Sequence, residues 1–239
     1  MRFAAVLRAR RQPGYIRIPM NFRTPWQMYL DRRDRRRMSE SLMRASNHHH
    51  DRMMELCNDN NQSYSTLLED YVLSHLPGYI GDLWQEDGFT VRFVTFDGMS
   101  RRLSQAAMRS GTKCTEGLLV STNGLYCPND GGIFVREGTF AQRVSFGDHQ
   151  WQSTEDVCGH EFGHYVDAVF DYPSEWDTLF HDAYRSEKAK LDAYAAADPR
   201  EYFATACWIC ARYPRVARKY IPVTAKYFRY LFAEGEQQY

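Results

Sequence analysis

The run His160-Glu161-Phe162-Gly163-His164 constrains this chain more than any other stretch. On an α-helix of 3.6 residues per turn, positions i and i+4 lie about 40° apart on one face. Two imidazoles placed so can reach a single zinc ion at about 2.0–2.1 Å. Glu161 sits beside the first of them, where its carboxylate faces a water on such an ion and can take its proton. The flanking residues ask for a helix. Ser153-Thr154-Glu155-Asp156 supplies an N-cap and an acidic first turn. Val157, Phe162, Val166 and Phe170 form an apolar face that would bury it, to an end near Phe170. The bland alternative is a core helix whose histidines find hydrogen bonds in the interior. Two histidines and a glutamate buried on one face are costly without a metal.

A zinc site of this kind needs a third protein ligand. Asp198-Pro199 reads as a cap followed by proline at the first helical position, so a new helix opens there with Glu201 in its first turn. Phe203, Ala204, Cys207 and Trp208 can pack it. A glutamate 37 positions after His164, on a second helix, is the gluzincin arrangement. An acid in a first turn is also what the helix dipole favours for its own reasons.

Taken together, His160-Glu-Phe-Gly-His-Tyr-Val-Asp167, then Tyr194, then Glu201-Tyr-Phe-Ala204 resemble the catalytic domain of anthrax lethal factor and the related Pro-Pro endopeptidases. The resemblance lies in these motifs and would span residues 63–239. It implies an α+β, zincin-like metallopeptidase with a small mixed β-sheet, an active-site helix and a helical C-terminal lobe. It further implies Zn2+ on His160, His164 and Glu201, with Glu161 as general base in the hydrolysis of a protein or peptide. Tyr194, seven residues before Glu201, would donate to the developing oxyanion; otherwise it is a helix-end aromatic of the core. Asp167 would hold a ligand histidine by its second nitrogen, or lie on the surface. The family carries a second glutamate where this chain has Thr205, so that outer carboxylate is not expected. The strand at 132–136 is the expected partner for an extended substrate.

Ahead of the motif the pattern changes at Ser63. Leu67, Leu68, Tyr71, Val72 and Leu76 recur at helical spacing, and a short helix follows at Tyr79–Trp84. Phe89–Phe96 reads as a strand closed by the turn signal Asp97-Gly98. Leu118–Thr122 and Gly132–Arg136 read as two more strands, with Asn123-Gly124 and the loop Cys127–Gly132 between them. They suit a hairpin with an extended tip, or an edge strand beside a cleft. Past residue 150 the chain reads as all helix: one opened by Pro173-Ser174 and running to about Ala195, one from Pro199 ended by Pro214, and a last at 215–234.

Residues 1–62 form an Arg-rich extension, with helical stretches at 26–46 and 52–58. Residues 1–45 hold twelve arginines against Asp31, Asp34 and Glu40, a net charge of +9 in a chain whose formal total is zero. Such an arm suits an acidic partner, nucleic acid or anionic lipid, or else a solvated helix face covering acidic surface of the same chain. The second function to weigh is therefore a catalytically silent zinc-binding module anchored in a larger assembly by this arm. No apolar run approaches the roughly 18 residues of a membrane span, and no signal-peptide core is evident. The six cysteines are too scattered for a secreted disulfide framework. A cytoplasmic protein is the expectation, with export by a non-classical route or packaging in a larger particle left open. His48-His49-His50 reads as a solvated loop, and Cys207/Cys210 as buried thiols of a helix.

Overall fold

The computed structural model of the chain describes residues 30, 33–42, 63–110, 122–136, 144–146, 149–152 and 154–237. Helix α1 (Tyr64–Leu73) starts where the Ser63 hydroxyl accepts the Thr66 N–H, and it buries Leu67, Leu68 and Val72. Helix α2 (Gly78–Glu86) adds Ile80 and Trp84 to the same core. Strand β1 (Thr90–Val94) is followed by helix α3 (Phe96–Ser110), then β2 (Gly124–Cys127) and β3 (Gly132–Arg136). A separate antiparallel pair joins β4 (Val144–Phe146) to β5 (His149–Gln152).

The three-stranded sheet has the order β1-β3-β2, with β3 parallel to β1 and antiparallel to β2. Successive residues of β3 face opposite sides. Ile133 and Val135 therefore enter the main core, while Phe134 packs with Met99, Leu103 and Cys127 under α3. Arg102 lays its guanidinium 3.7 Å from the centre of the Phe134 ring. Gly132, at φ 136°, lets β3 approach β1: a Cβ there would lie 2.2 Å from the Thr90 carbonyl oxygen.

The rest is helical: α4 (Thr154–Val169), α5 (Pro173–Trp176), α6 (Thr178–Glu187), α7 (Ala193–Ala197), α8 (Pro199–Arg212), α9 (Pro214–Tyr220) and α10 (Pro222–Glu236). This is the α+β architecture that the sequence implies: mostly helix, with a small mixed sheet. None of the described helices is long and apolar enough to cross a membrane.

Several expected elements differ in place. The strand at Leu118–Thr122 falls outside the described residues apart from Thr122, which is not in a strand. The antiparallel partner of β3 is Gly124–Cys127, which reads in sequence as turn and loop. Asp97-Gly98 is no turn: the Thr95 hydroxyl accepts the Gly98 N–H and starts α3 there. The long helix expected from Pro173 to Ala195 is cut twice by aspartate caps. Asp177 accepts the Leu179 N–H and opens α6; Asp192 accepts the Ala195 N–H and opens α7. Proline at the first position of α9 and α10 divides the last stretch in the same way.

Of the Arg-rich extension, residues 33–42 are helical, and Met38 and Leu42 lie in the main core. Arg35 donates from Nε and Nη2 to the Ala189 carbonyl. The helix expected at 52–58, the three histidines at 48–50 and most of the basic arm lie outside the described residues.

Candidate metal centre

Helices α4 and α8 run against each other at backbone distance, which needs glycine. A Cβ at Gly159 would meet the Trp208 ring at 2.1 Å, and one at Gly163 would meet the Ala204 carbonyl oxygen at 2.4 Å. Farther along the same seam Asp156 and Arg212 pair at 2.7 Å, both side chains fully buried. Trp208 Nε1 and the Tyr213 hydroxyl also donate to Asp156. The contacts 156 to 212, 159 to 208 and 163 to 204 set an antiparallel register. That register brings the first turn of α8, and Glu201 with it, over the two histidines of α4.

The result is a convergence of three side chains. Glu201 Oε2 lies 3.0 Å from His160 Nε2 and 3.5 Å from His164 Nε2. One donor atom from each of the three residues falls within 4.8 Å of the others. The two imidazole rings are nearly perpendicular, with centroids 4.8 Å apart. Burial favours a neutral Glu201, yet its hydrogen bonds with His160 and His164 hold the carboxyl well below the usual range. His164 is raised: burial pulls it down, but Glu201 and then Glu161 outweigh that.

Glu161 is buried beside this group, and its Oε2 accepts the Tyr126 N–H of β2 at 2.7 Å. Burial pushes its carboxyl up, against the pull of His160 and His164. Gly124 makes the approach of β2 feasible, because a Cβ there would lie 2.7 Å from Glu161 Oε1 and 2.8 Å from a Val157 methyl. Tyr194, on the short helix α7, has its ring centroid 6.2 Å from that of His160. The residue is 57% exposed, so it is not a core aromatic. Partial burial of the phenol, and then the Glu201 carboxylate, push it far up.

Two features of the site are not those the motifs suggest. Asp167 does not hold a histidine: its two oxygens accept the Ser174 N–H at 3.0 Å and the Ser174 hydroxyl at 2.5 Å, and it reaches His164 only through space. Its carboxylate is drawn instead to the start of α5, where free N–H groups need acceptors. The second is β3, which is not an edge: it is paired on both sides, and among the described residues the outer strand beside Glu161 is β2. Thr205, in turn, lies with Oγ1 3.1 Å from His160 Nδ1. Cys207 is fully buried and Cys210 partly so, both free, with burial pushing their thiols up. Thiols held protonated by burial are poor nucleophiles.

The chain is similar in structure to a Pro-Pro endopeptidase, PPEP-2 from Paenibacillus alvei. The match has a TM-score of 0.51 at 21% sequence identity, and covers 72% of this chain and 94% of that one. No protein-family model matches the sequence, and no curated protein matches it. The likeness is thus one of fold, and the chain has the fold of that endopeptidase.

Proposed function

We propose that this chain is a zinc-dependent endopeptidase, with Zn2+ held by His160, His164 and Glu201. The observation that carries the reading is the approach of Glu201 Oε2 to both histidine Nε2 atoms, at 3.0 and 3.5 Å. Two ligands of a tetrahedral zinc, each about 2.0–2.1 Å from it, stand about 3.3 Å apart. Both distances from Glu201 suit that ion. Two imidazoles and one carboxylate also leave a fourth position open, as in catalytic zinc sites. When bound, the ion supplies Lewis acidity toward water and toward a peptide carbonyl.

Glu161 is the general base. With Oε2 tethered by the Tyr126 amide, Oε1 is left to take a proton from the attacking water and pass it to the leaving amine. The upward push of burial on its carboxyl is in the direction a base working near neutral pH requires. The Tyr194 hydroxyl, kept protonated by its surroundings, donates to the oxyanion that develops on the carbonyl.

The substrate belongs along β2. The Arg136 N–H bonds the Asn123 carbonyl, so in this antiparallel pair Leu125 turns its polar backbone groups to β3, while Gly124 and Tyr126 turn theirs outward. That outward edge is the one touching Glu161. At the other side of the sheet, the outward Val91 N–H is taken by Glu69 of α1. An extended peptide added beside β2 would have its backbone at the general base.

The test is cleavage of a diverse peptide library by the zinc-loaded protein, read by mass spectrometry, beside Glu161→Ala. Products from the wild type alone support the reading, and residues flanking the cuts define specificity. Proline is the first preference to look for, given the similar Pro-Pro endopeptidase. Identical profiles overturn it in favour of the silent zinc-binding module.

A further inference from the structure

Helix α8 brings a second side chain to the histidines. Thr205 follows Glu201 by four residues, one helical turn on the same face. It is buried, and its Oγ1 lies 3.1 Å from His160 Nδ1 while His160 Nε2 faces Glu201 at 3.0 Å. A neutral imidazole has one N–H and one lone pair, and which nitrogen carries the hydrogen is decided by its neighbours. Without a metal, the Glu201 carboxylate at Nε2 and the hydroxyl at Nδ1 compete for that hydrogen; with Nε2 on a metal the hydrogen sits on Nδ1, where the Thr205 hydroxyl is placed to accept it. Asp167, the other carboxylate of helix α4 near a histidine, has both oxygens bonded by Ser174 and acts on His164 only through space.

We infer that Thr205 is the positioning residue of the site: with zinc bound, its hydroxyl accepts the His160 Nδ1–H and so aims Nε2 at the ion shared with Glu201 and His164. The inference rests on the zinc reading given above. Its chemical content is that a neutral acceptor does this work. A carboxylate at Nδ1 raises the basicity of the ligand imidazole; a hydroxyl orients the ring without adding charge to the site. One helix then carries both a ligand and the acceptor that orients another ligand, four residues apart. A shift of α8 along α4 would disturb the two together.

The experiment compares Thr205→Val, which keeps the shape and removes the acceptor, with Thr205→Ser, which keeps the hydroxyl. Zinc affinity is measured by competition with a chromophoric chelator, and the His160 tautomer by long-range 1H–15N correlation at a pH where the ring is neutral. Thr205→Val should bind zinc about 10–100-fold more weakly, with Thr205→Ser within about threefold of wild type. The spectrum of the zinc-loaded wild type should show the Nδ1–H form of His160, a readout that needs no variant to fold. Thr205→Val binding zinc like wild type, Thr205→Ser binding as weakly as Thr205→Val, or an Nε2–H tautomer in the zinc-loaded wild type overturns this inference alone. A wild type that takes up no zinc overturns the reading beneath it as well.

Discussion

Replacing Gly163 with alanine should part the two helices that build the site. A Cβ there would lie 2.4 Å from the Ala204 carbonyl oxygen and 2.6 Å from the Ala204 Cα, where ordinary contact begins at 3.4 Å. These are backbone atoms of a buried helix, so no side chain can swing aside, and α8 must retreat by about 1 Å, the difference between 3.4 and 2.4 Å. Ala204 and Glu201 share one turn of α8, so the carboxylate retreats too. Metal–ligand distances tolerate about 0.2 Å. Overpacking costs about 1–3 kcal/mol, which the better helix propensity of alanine offsets by about 1 kcal/mol. The melting temperature should therefore fall only modestly, by up to about 8 °C at 2–4 °C per kcal/mol. Zinc affinity should fall more than tenfold, read by chelator competition. Gly81→Ala is the control: it lies within α2 with nothing within 4 Å of its would-be Cβ, and should hold or raise stability with zinc affinity unchanged. A Gly163→Ala protein with wild-type zinc affinity would refute the close-approach argument.

Gly124→Ala should spare zinc affinity and lower peptide turnover at least about tenfold, because the new methyl collides with the Glu161 carboxylate and its γ-carbon but touches no ligand; unchanged kcat sinks the idea that β2 sets the base. Arg212→Met leaves the Asp156 carboxylate buried without its cation and should cost about 3–5 kcal/mol in urea unfolding. Adding Asp156→Leu should recover much of that loss, and a single variant as stable as wild type would show that the pair does not pin the seam. His75, bonded at Nδ1 to the Tyr71 carbonyl and edge-on to Trp208, is held below its ordinary 6.5 by burial, with Arg212 adding to it. Its contribution is complete above pH 6.5 and is lost as pH falls from 6.5 through the lowered folded value. Urea midpoints between about pH 7 and 5 should slope less in His75→Gln than in wild type; equal slopes exclude this histidine.

Part of the site was legible because its geometry is local. The pairing of His160 with His164 follows from helical pitch alone. The helix carrying Glu201 announces itself through Asp198-Pro199, and the cap is where the sequence puts it, with the Asp198 carboxylate accepting the Arg200 N–H. Fold class was legible for the same kind of reason, from a strand-rich middle and a helical second half. Glycine shows where such reading stops. Asn123-Gly124 and Asp97-Gly98 look alike as turn signals, yet both glycines sit in regular elements. Gly124 is there for the room it leaves Glu161, which depends on a helix more than thirty residues away.

What the sequence determined by itself is thus the candidate side chains and the helices that present them: two imidazoles one turn apart, a carboxylate beside them, and another in the first turn of a later helix. Each of these rests on backbone geometry within a few residues. What only the tertiary structure decided is how these parts are brought to bear. The antiparallel seam at Gly159 and Gly163 delivers Glu201 to both histidines. Thr205, and not Asp167, meets the second nitrogen of His160, and β2, and not β3, lies against Glu161. These choices depend on distances between residues far apart in the chain, set by which side chains are small enough to let backbones touch, and no local pattern encodes them.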